Sequence, residues 1–217
     1  MENIKNDIQK NIIDRLTLDI IEDMKKIHFV ADLHHGHSKI VDICNRPISR
    51  EKHDEWLLKE VFNKYVQKNQ EVYILGDISM AKRRDAEKFV ARMNGNKHLI
   101  LGNHDKNVSH LGNWSEVTQI KDFTYSRFGL NIHIILCHYP IASWNRKIHG
   151  AWHLHAHSHG RFENSGLSWD VGIDNQSNKF GVFGWCRPIN LYEVVQIMNE
   201  KQKQGFDKDF TESQVEF

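Results

Sequence analysis

Groups able to hold a metal ion or move a proton stand where apolar runs of this chain end. Leu101-Gly102-Asn103-His104-Asp105 follows the run His98-Leu99-Ile100-Leu101 and breaks it with a glycine. An asparagine amide offers a neutral oxygen to a cation, an imidazole exchanges a proton near neutral pH, and a neighbouring carboxylate can orient that ring. Taken alone, Gly-Asn-His could be an ordinary turn. The other run ends carry matching groups. Ile27-His28-Phe29-Val30-Ala31 reads as a strand ending at Asp32-Leu33-His34, where residues two apart point the same way. Glu71-Val72-Tyr73-Ile74-Leu75 ends at Gly76-Asp77, and Ile132-His133-Ile134-Ile135-Leu136 ends at Cys137-His138-Tyr139-Pro140. Strand alternation turns Cys137 away from whatever His138 faces. In Ala151 to Gly160, His153, His155, His157 and His159 alternate, so an extended chain would put all four on one face. Such a tract can be a surface chelator, but Trp152 and Leu154 give it an apolar strand context.

The strand-end set is Asp32, His34, Asp77, Asn103, His138, His157 and His159, all oxygen or imidazole donors. It is too large for one tetrahedral zinc and suits two five- or six-coordinate ions sharing a carboxylate. Mixed oxygen and nitrogen ligation suits Mn²⁺, Fe or Zn²⁺. Two such ions can clamp a phosphoryl group and lower the pKa of a bridging water toward ~7. His104 is the imidazole beside the ligands, placed to protonate a leaving alkoxide, and Asp105 could orient it.

These groups need a scaffold of strands with their ends on one side. Strand 27–31 is followed by a helix over 40–43 and a second over about 50–67, then strand 71–75, a helix over about 83–93 and strand 98–101. That alternation predicts an α/β layered sheet, with ligands at the strand ends. Past residue 110, Val117–Ile120, Phe123–Ser126 and Ile132–Leu136 read as consecutive antiparallel strands, Leu167–Ile173 as another, and Leu191–Met198 as a last helix. Ile8, Ile12, Ile13, Leu16, Ile20, Ile21 and Met24 recur at helical spacing. Residues 1–26 therefore read as an amphipathic helix, docked on the domain or joining a second copy into a homodimer. Residues 27–200 form the main domain and 201–217 a polar tail.

Composition bounds the partners. The 217 residues are 40% hydrophobic and 26% charged, with 29 basic against 28 acidic side chains, for a net charge of +1. That balance offers no extended nucleic-acid or membrane surface. No apolar run is long enough to span a bilayer, and the N-terminus has no secretory pattern. Three widely spaced cysteines (Cys44, Cys137, Cys186) suit free thiols in a reducing compartment, so a cytoplasmic location is expected.

Asp32-x-His34, Gly76-Asp77, Gly102-Asn103-His104-Asp105, His138 and His157-x-His159, in that order, resemble the blocks of the calcineurin-like metallophosphoesterase superfamily, in particular its short single-domain bacterial and phage-type members. The resemblance spans residues 32–159 and includes Cys44-Asn45-Arg46-Pro47 and Cys137-His138-Tyr139-Pro140. It implies a four-layer α/β/β/α sandwich of two mixed sheets around a dinuclear centre. Asp32, His34, Asp77 and His159 would hold one ion, and Asp77, Asn103, His138 and His157 the other. Asp77 would bridge them, with His104 as the catalytic acid. The ions implied are two divalent metals, Mn²⁺ first, with Fe, Zn²⁺ or Ni²⁺ as alternatives. The family writes Gly before the penultimate ligand histidine, where this chain has Ala156.

The expected activity is a phosphodiesterase on small nucleotide or cyclic phosphate substrates, because a diester alkoxide needs the proton that His104 can supply. Phosphomonoesterase comes second, and a non-catalytic metal-binding interaction module is the alternative of another class. The neutral charge balance counts against a processive nuclease. For substrate contacts, Arg46 could meet a phosphate bidentately, His37 could face the substrate and Trp144 could stack on a base. Arg46 at a helix end, His37 in a loop and Trp144 in a core or subunit contact are the plainer readings.

Overall fold

The computed structural model describes residues 16–111, 114–163, 165–179 and 186–205. In chain order its strands are β1 (Ile27–Val30), β2 (Glu71–Ile74), β3 (Asn96–Ile100), β4 (Glu116–Thr118), β5 (Ile120–Arg127), β6 (Leu130–Cys137), β7 (Trp152–His155), β8 (Ser168–Asp170) and β9 (Ile189–Asn190). Its helices are α1 (16–24), α2 (Ile40–Ile43), α3 (His53–Trp56), α4 (Arg83–Arg92) and α5 (Leu191–Lys203). The architecture is α/β with two mixed sheets, one in the order β4-β3-β2-β1-β9 and the other β5-β6-β7-β8.

β1 to β4 are mutually parallel, with Ile27 opposite Glu71 and Glu71 opposite Asn96. Their C-terminal ends therefore emerge on one side, which brings Asp32, Asp77 and Asn103 together. In the second sheet only β5–β6 is an antiparallel hairpin; β6, β7 and β8 are parallel. The expectation of three consecutive antiparallel strands past residue 110 holds for β5 and β6 and is corrected for the first of the three. β4 belongs to the first sheet, parallel to β3, and only Gln119 separates it from β5. Alternating apolar residues mark a strand but carry no direction, and the loops before β7 and β8 are long enough to cross over. Beyond the strand ends the two sheets join through a parallel bridge between Ala31 and Gly172.

Period-two side-chain alternation splits the core. Val30, Val72, Ile74 and Leu99 pack on one face of the first sheet with Leu57, Leu58, Val61, Phe62, Phe89 and Val90. Phe29, Tyr73, Leu75 and Ile100 point the other way, against Phe123, Ile134, Leu136, Trp152 and Leu154 of the second sheet. Ala156 lies in this inter-sheet cluster with no exposure, so its extra methyl is absorbed by the core. The expected helix over 50–67 is a 3₁₀ turn (Arg50–Lys52), then α3, then a π-helical stretch (Leu57–Phe62) that keeps the apolar side inward.

Residues 1–15 of the expected N-terminal helix lie outside the described residues. Its described part, α1, docks on its own domain: Met24 is buried, and Asp23 accepts from Tyr125 Oη at 2.9 Å and pairs with Arg127 at 3.1 Å. α5 begins at a capping box between Asn190 and Glu193 and continues to Lys203, past the expected tail boundary. Residues 206–217 of that tail lie outside the described residues. No helix among the described residues is long and apolar enough to cross a membrane.

Candidate metal centre

Two donor sets form at the strand ends. Asp32, His34 and His159 make one, Asp77, His138 and His157 the other; within each, one ligand atom per residue lies within 4.8 Å of the others. Asp77 Oδ2 stands between them, 3.7 Å from His34 Nε2 and 3.6 Å from His138 Nε2. Asn103 Oδ1 reaches 3.2 Å from His138 Nε2. All seven predicted ligands are therefore gathered in one place.

Their backbones are held in an unusual way. Among the nine described non-glycine residues with positive φ are Asp32, His34, Asp77, His157 and His159, at 50–68°. Such conformations are uncommon for side-chain-bearing residues and persist where the surroundings over-determine them, as at functional sites. They also correct the reading of the histidine tract. β7 stops at His155, and the left-handed residues 157 and 159 turn those two rings into the donor sets. His153 and His155 remain buried outside both sets, with His153 bonded to the Ile135 carbonyl and the Ile141 N–H. Close backbone approach is enforced by Gly76, at φ +84°, where a Cβ would lie 2.6 Å from His138 Nδ1 and from Gly102 N.

Ring orientation is fixed from behind. His138 Nδ1 donates to the Leu75 carbonyl at 2.7 Å, and His159 Nδ1 donates to Asp174 Oδ2 at 2.7 Å. Each arrangement leaves Nε2 as the free donor, as metal-binding histidines require. Asp174 is in turn clamped by Arg46, whose Nε and Nη2 reach its two oxygens at 2.8 and 2.7 Å. Arg46 also donates to the carbonyls of Leu33 and Asp32 and lies 2.7 Å from His53 Nε2. Its side chain is buried and its five N–H groups are engaged, so none remains for a phosphate; the substrate-contact reading of Arg46 is corrected to one of positioning. Burial pushes Asp174 up, but the bonds from Arg46 and His159 hold it at about 2. Cys44 approaches His159 Nδ1 at 3.5 Å, and burial lifts its thiol to about 12. Cys44, His159 and Asp174 form a third set of close donors, in which both Asp174 oxygens are taken by Arg46 and His159 Nδ1, the ring atom near Cys44, donates to Asp174.

Several atoms here have no protein partner. Among the described residues, Asp32 Oδ1 and both His34 ring nitrogens are buried without a hydrogen bond. Burial, reinforced by the carboxylates of Asp170, Asp77 and Asp174, raises Asp32 well above the usual carboxylate range. Burial also drives His34 down to about 2, so that its ring is neutral. Crowded carboxylates beside neutral imidazoles with open lone pairs fit divalent cations, which would satisfy the orphaned atoms and the excess negative charge together.

Two further expectations are overturned, those for Asp105 and Trp144. Asp105 does not hold the His104 ring: its fully buried carboxylate accepts the N–H groups of Asp77, Ile78 and Gly102 at 2.8–3.0 Å. It pins the Asp77 turn instead. Trp144 is buried against Ile135 and Ala151, donating to the Ala151 carbonyl, and has no open face for a base. His37 is half-buried beside His34, with ring centres 6.0 Å apart, within reach of the centre. His104 is exposed at the rim, its ring 5.6 Å from that of His34 and its backbone N–H on Asp77 Oδ1 at 2.9 Å.

Asp170 went unrecognised in the sequence. Fully buried, it accepts from Ser158 Oγ and from the N–H groups of Gly160 and Gly172, holding the 157–160 loop. In the sequence it stands inside the apolar run Leu167 to Ile173, which a strand-end search passes over.

No family model matches the chain. Over 139 residues it is 31% identical to the uncharacterized protein MJ1445 of Methanocaldococcus jannaschii, an alignment covering 63% of this chain and 70% of that protein. It is 27% identical over 203 residues to the Gene 66 protein of Mycobacterium phage L5, covering 81% of this chain and 95% of the phage protein. A crystal structure of AQ665 from Aquifex aeolicus, a protein of unknown function, shares the fold with a TM-score of 0.55 at 18% identity, over 79% of this chain and 98% of that one. On the extent of its likeness to the Methanocaldococcus protein, the chain belongs to the family of MJ1445.

Proposed function

We propose that this protein is a metal-dependent phosphoesterase, acting by preference on diesters of small nucleotide-like molecules. The observation that carries the proposal is the single oxygen Asp77 Oδ2 standing between the imidazoles of two donor sets, the first of which holds buried atoms with no hydrogen-bond partner among the described residues. In this reading Asp32, His34, Asp77 and His159 hold one divalent cation. Asp77, Asn103, His138 and His157 hold a second, with Mn²⁺ the first candidate. The two sheets and their helices then correspond to the four-layer α/β/β/α sandwich of the calcineurin-like metallophosphoesterases, with α3 and α4 in one outer layer.

Bound at this place, two divalent cations supply Lewis-acid polarisation of a phosphoryl oxygen and a nucleophile at neutral pH. The chain's own residues do the rest. Asp77 fixes the separation of the two sets and, through Oδ1, anchors the backbone of His104. Arg46, Asp174, Asp170 and Asp105 hold the turns so that the donor atoms need not reorganise. As a water oxygen bonds to phosphorus and gives up a proton to solvent, the bond from phosphorus to the leaving oxygen breaks, and the His104 ring, carrying a proton, gives it to that oxygen. An exposed imidazole on the rim can take its next proton from solvent.

The test is hydrolysis of bis-p-nitrophenyl phosphate beside p-nitrophenyl phosphate, after chelation and re-addition of Mn²⁺. Metal-dependent turnover of the diester with little of the monoester is expected. Monoester preference would replace the diesterase reading with a phosphatase one. No turnover of either with any divalent metal would remove the enzyme reading.

A further inference from the structure

A cavity of about 350 Å³ lies between the 101–109 turn, the start of β5 and the end of β6. Small-ligand sites begin at roughly 300 Å³. Its walls include Lys106, Ser109, Gln119, Ile120, Cys137 and Tyr139. Ile120 and Cys137 face each other across the β5–β6 pair and give it an apolar floor. The side chains of Lys106, Ser109 and Gln119 make no hydrogen bond or ion pair among the described residues, so a cation, a hydroxyl and an amide are available on one side. Tyr139 is 41% exposed, and its ring lies 4.9 Å from those of both His138 and His157. Gly102, Asp105 and Tyr139, chain neighbours of Asn103, His104 and His138, all line the same space. The cavity therefore adjoins the candidate centre on the side of its second donor set.

We propose that this cavity receives the nucleoside portion of the phosphate ester, an inference that rests on the phosphoesterase reading above and gives its substrate class a place. A flat ring stacks on Tyr139 over the Ile120–Cys137 floor, and Gln119, Ser109 and Lys106 meet its polar edge. Aromatic stacking accepts any base, because every base has a π-face. An ester with only a small alkyl group leaves the cavity empty and gains nothing from it.

Ile120 is 54% exposed, so a larger side chain there fills the cavity without disturbing the core. Ile120→Trp fills it, and Lys106→Glu reverses its charge from the surface. The p-nitrophenyl ester of thymidine monophosphate is compared with methyl p-nitrophenyl phosphate, which has the same leaving group. Each variant is expected to raise KM for the nucleotide ester about tenfold with kcat kept, and to leave the methyl ester within about twofold. Equal changes for both esters, or for neither, would overturn the proposal. AMP binding by calorimetry in chelator is read in parallel. Wild-type binding that weakens about tenfold in both variants supports the cavity even if no ester is cleaved, in which case only the phosphoesterase reading falls. Absence of AMP binding in the wild type overturns the nucleoside assignment whatever the turnover.

Discussion

The Arg46 guanidinium and the Asp174 carboxylate meet side-on in the interior, Nε to Oδ1 at 2.8 Å and Nη2 to Oδ2 at 2.7 Å. The pair joins the Asn45-Arg46-Pro47 turn to the segment after β8 and, through the carbonyls of Asp32 and Leu33, to the end of β1. Removing one partner leaves a buried charge uncompensated, which typically costs about 3–5 kcal/mol. Arg46→Ala is expected to lose stability on that scale in urea titrations with metal chelated. Arg46→Lys should recover only part, since one ammonium cannot meet both carboxylate oxygens and two carbonyls. A midpoint for Arg46→Ala equal to that of the wild type would show that the pair does not hold these segments.

Asp77 offers one oxygen to both donor sets. Asp77→Asn keeps the volume and removes the charge, so in the proposed two-ion centre both ions should weaken together. The loss should exceed the ~10–100-fold that follows removal of a partner behind a ligand. Metal content after dialysis against graded Mn²⁺ reads this directly. Retention of one full equivalent would mean that Asp77 serves only one set.

His104 is bound to the centre by its backbone, not its ring, so His104→Ala should leave metal content and melting temperature unchanged. Loss of a positioned acid costs about 10²–10⁴-fold in kcat, largest for esters with poor leaving groups. A substrate with a p-nitrophenolate leaving group should suffer less than an alkyl diester. Equal losses for both would assign His104 a role other than proton transfer.

The seven donors were legible in the sequence because parallel strands end on one side: residue type and a position at a strand end suffice to group Asp32, Asp77 and Asn103. What surrounds them was not legible. Arg46 and Asp174 are 128 residues apart, and no local pattern says that their loops meet. Asp105 adjoins His104 in sequence, but the turn directs its carboxylate inward to three backbone N–H groups, so adjacency misled. The histidine alternation held only while the chain stayed extended. At His157 and His159 the backbone becomes left-handed, and side-chain direction no longer follows period two. Strand direction in the second sheet was hidden for a similar reason, because β4 leaves it and β7 and β8 enter by crossovers.

His153 supplies a pH dependence separate from the donor sets. It is fully buried on β7, donating from Nδ1 to the Ile135 carbonyl at 3.0 Å and accepting the Ile141 N–H at Nε2 at 3.3 Å. Burial lowers its pKa from 6.5 to about 4. Between those values the unfolded chain binds a proton that the folded chain refuses, so unfolding free energy falls as pH drops through this window. The full effect is about 3 kcal/mol at most. His153→Gln cannot titrate there and should show a shallower loss of stability from about pH 6.5 to pH 4, whatever its stability at neutral pH. Urea titrations of both proteins across that range, in chelator, compare the slopes. Parallel pH profiles would show that the His153 ring takes up its proton in the folded state as readily as in the unfolded one.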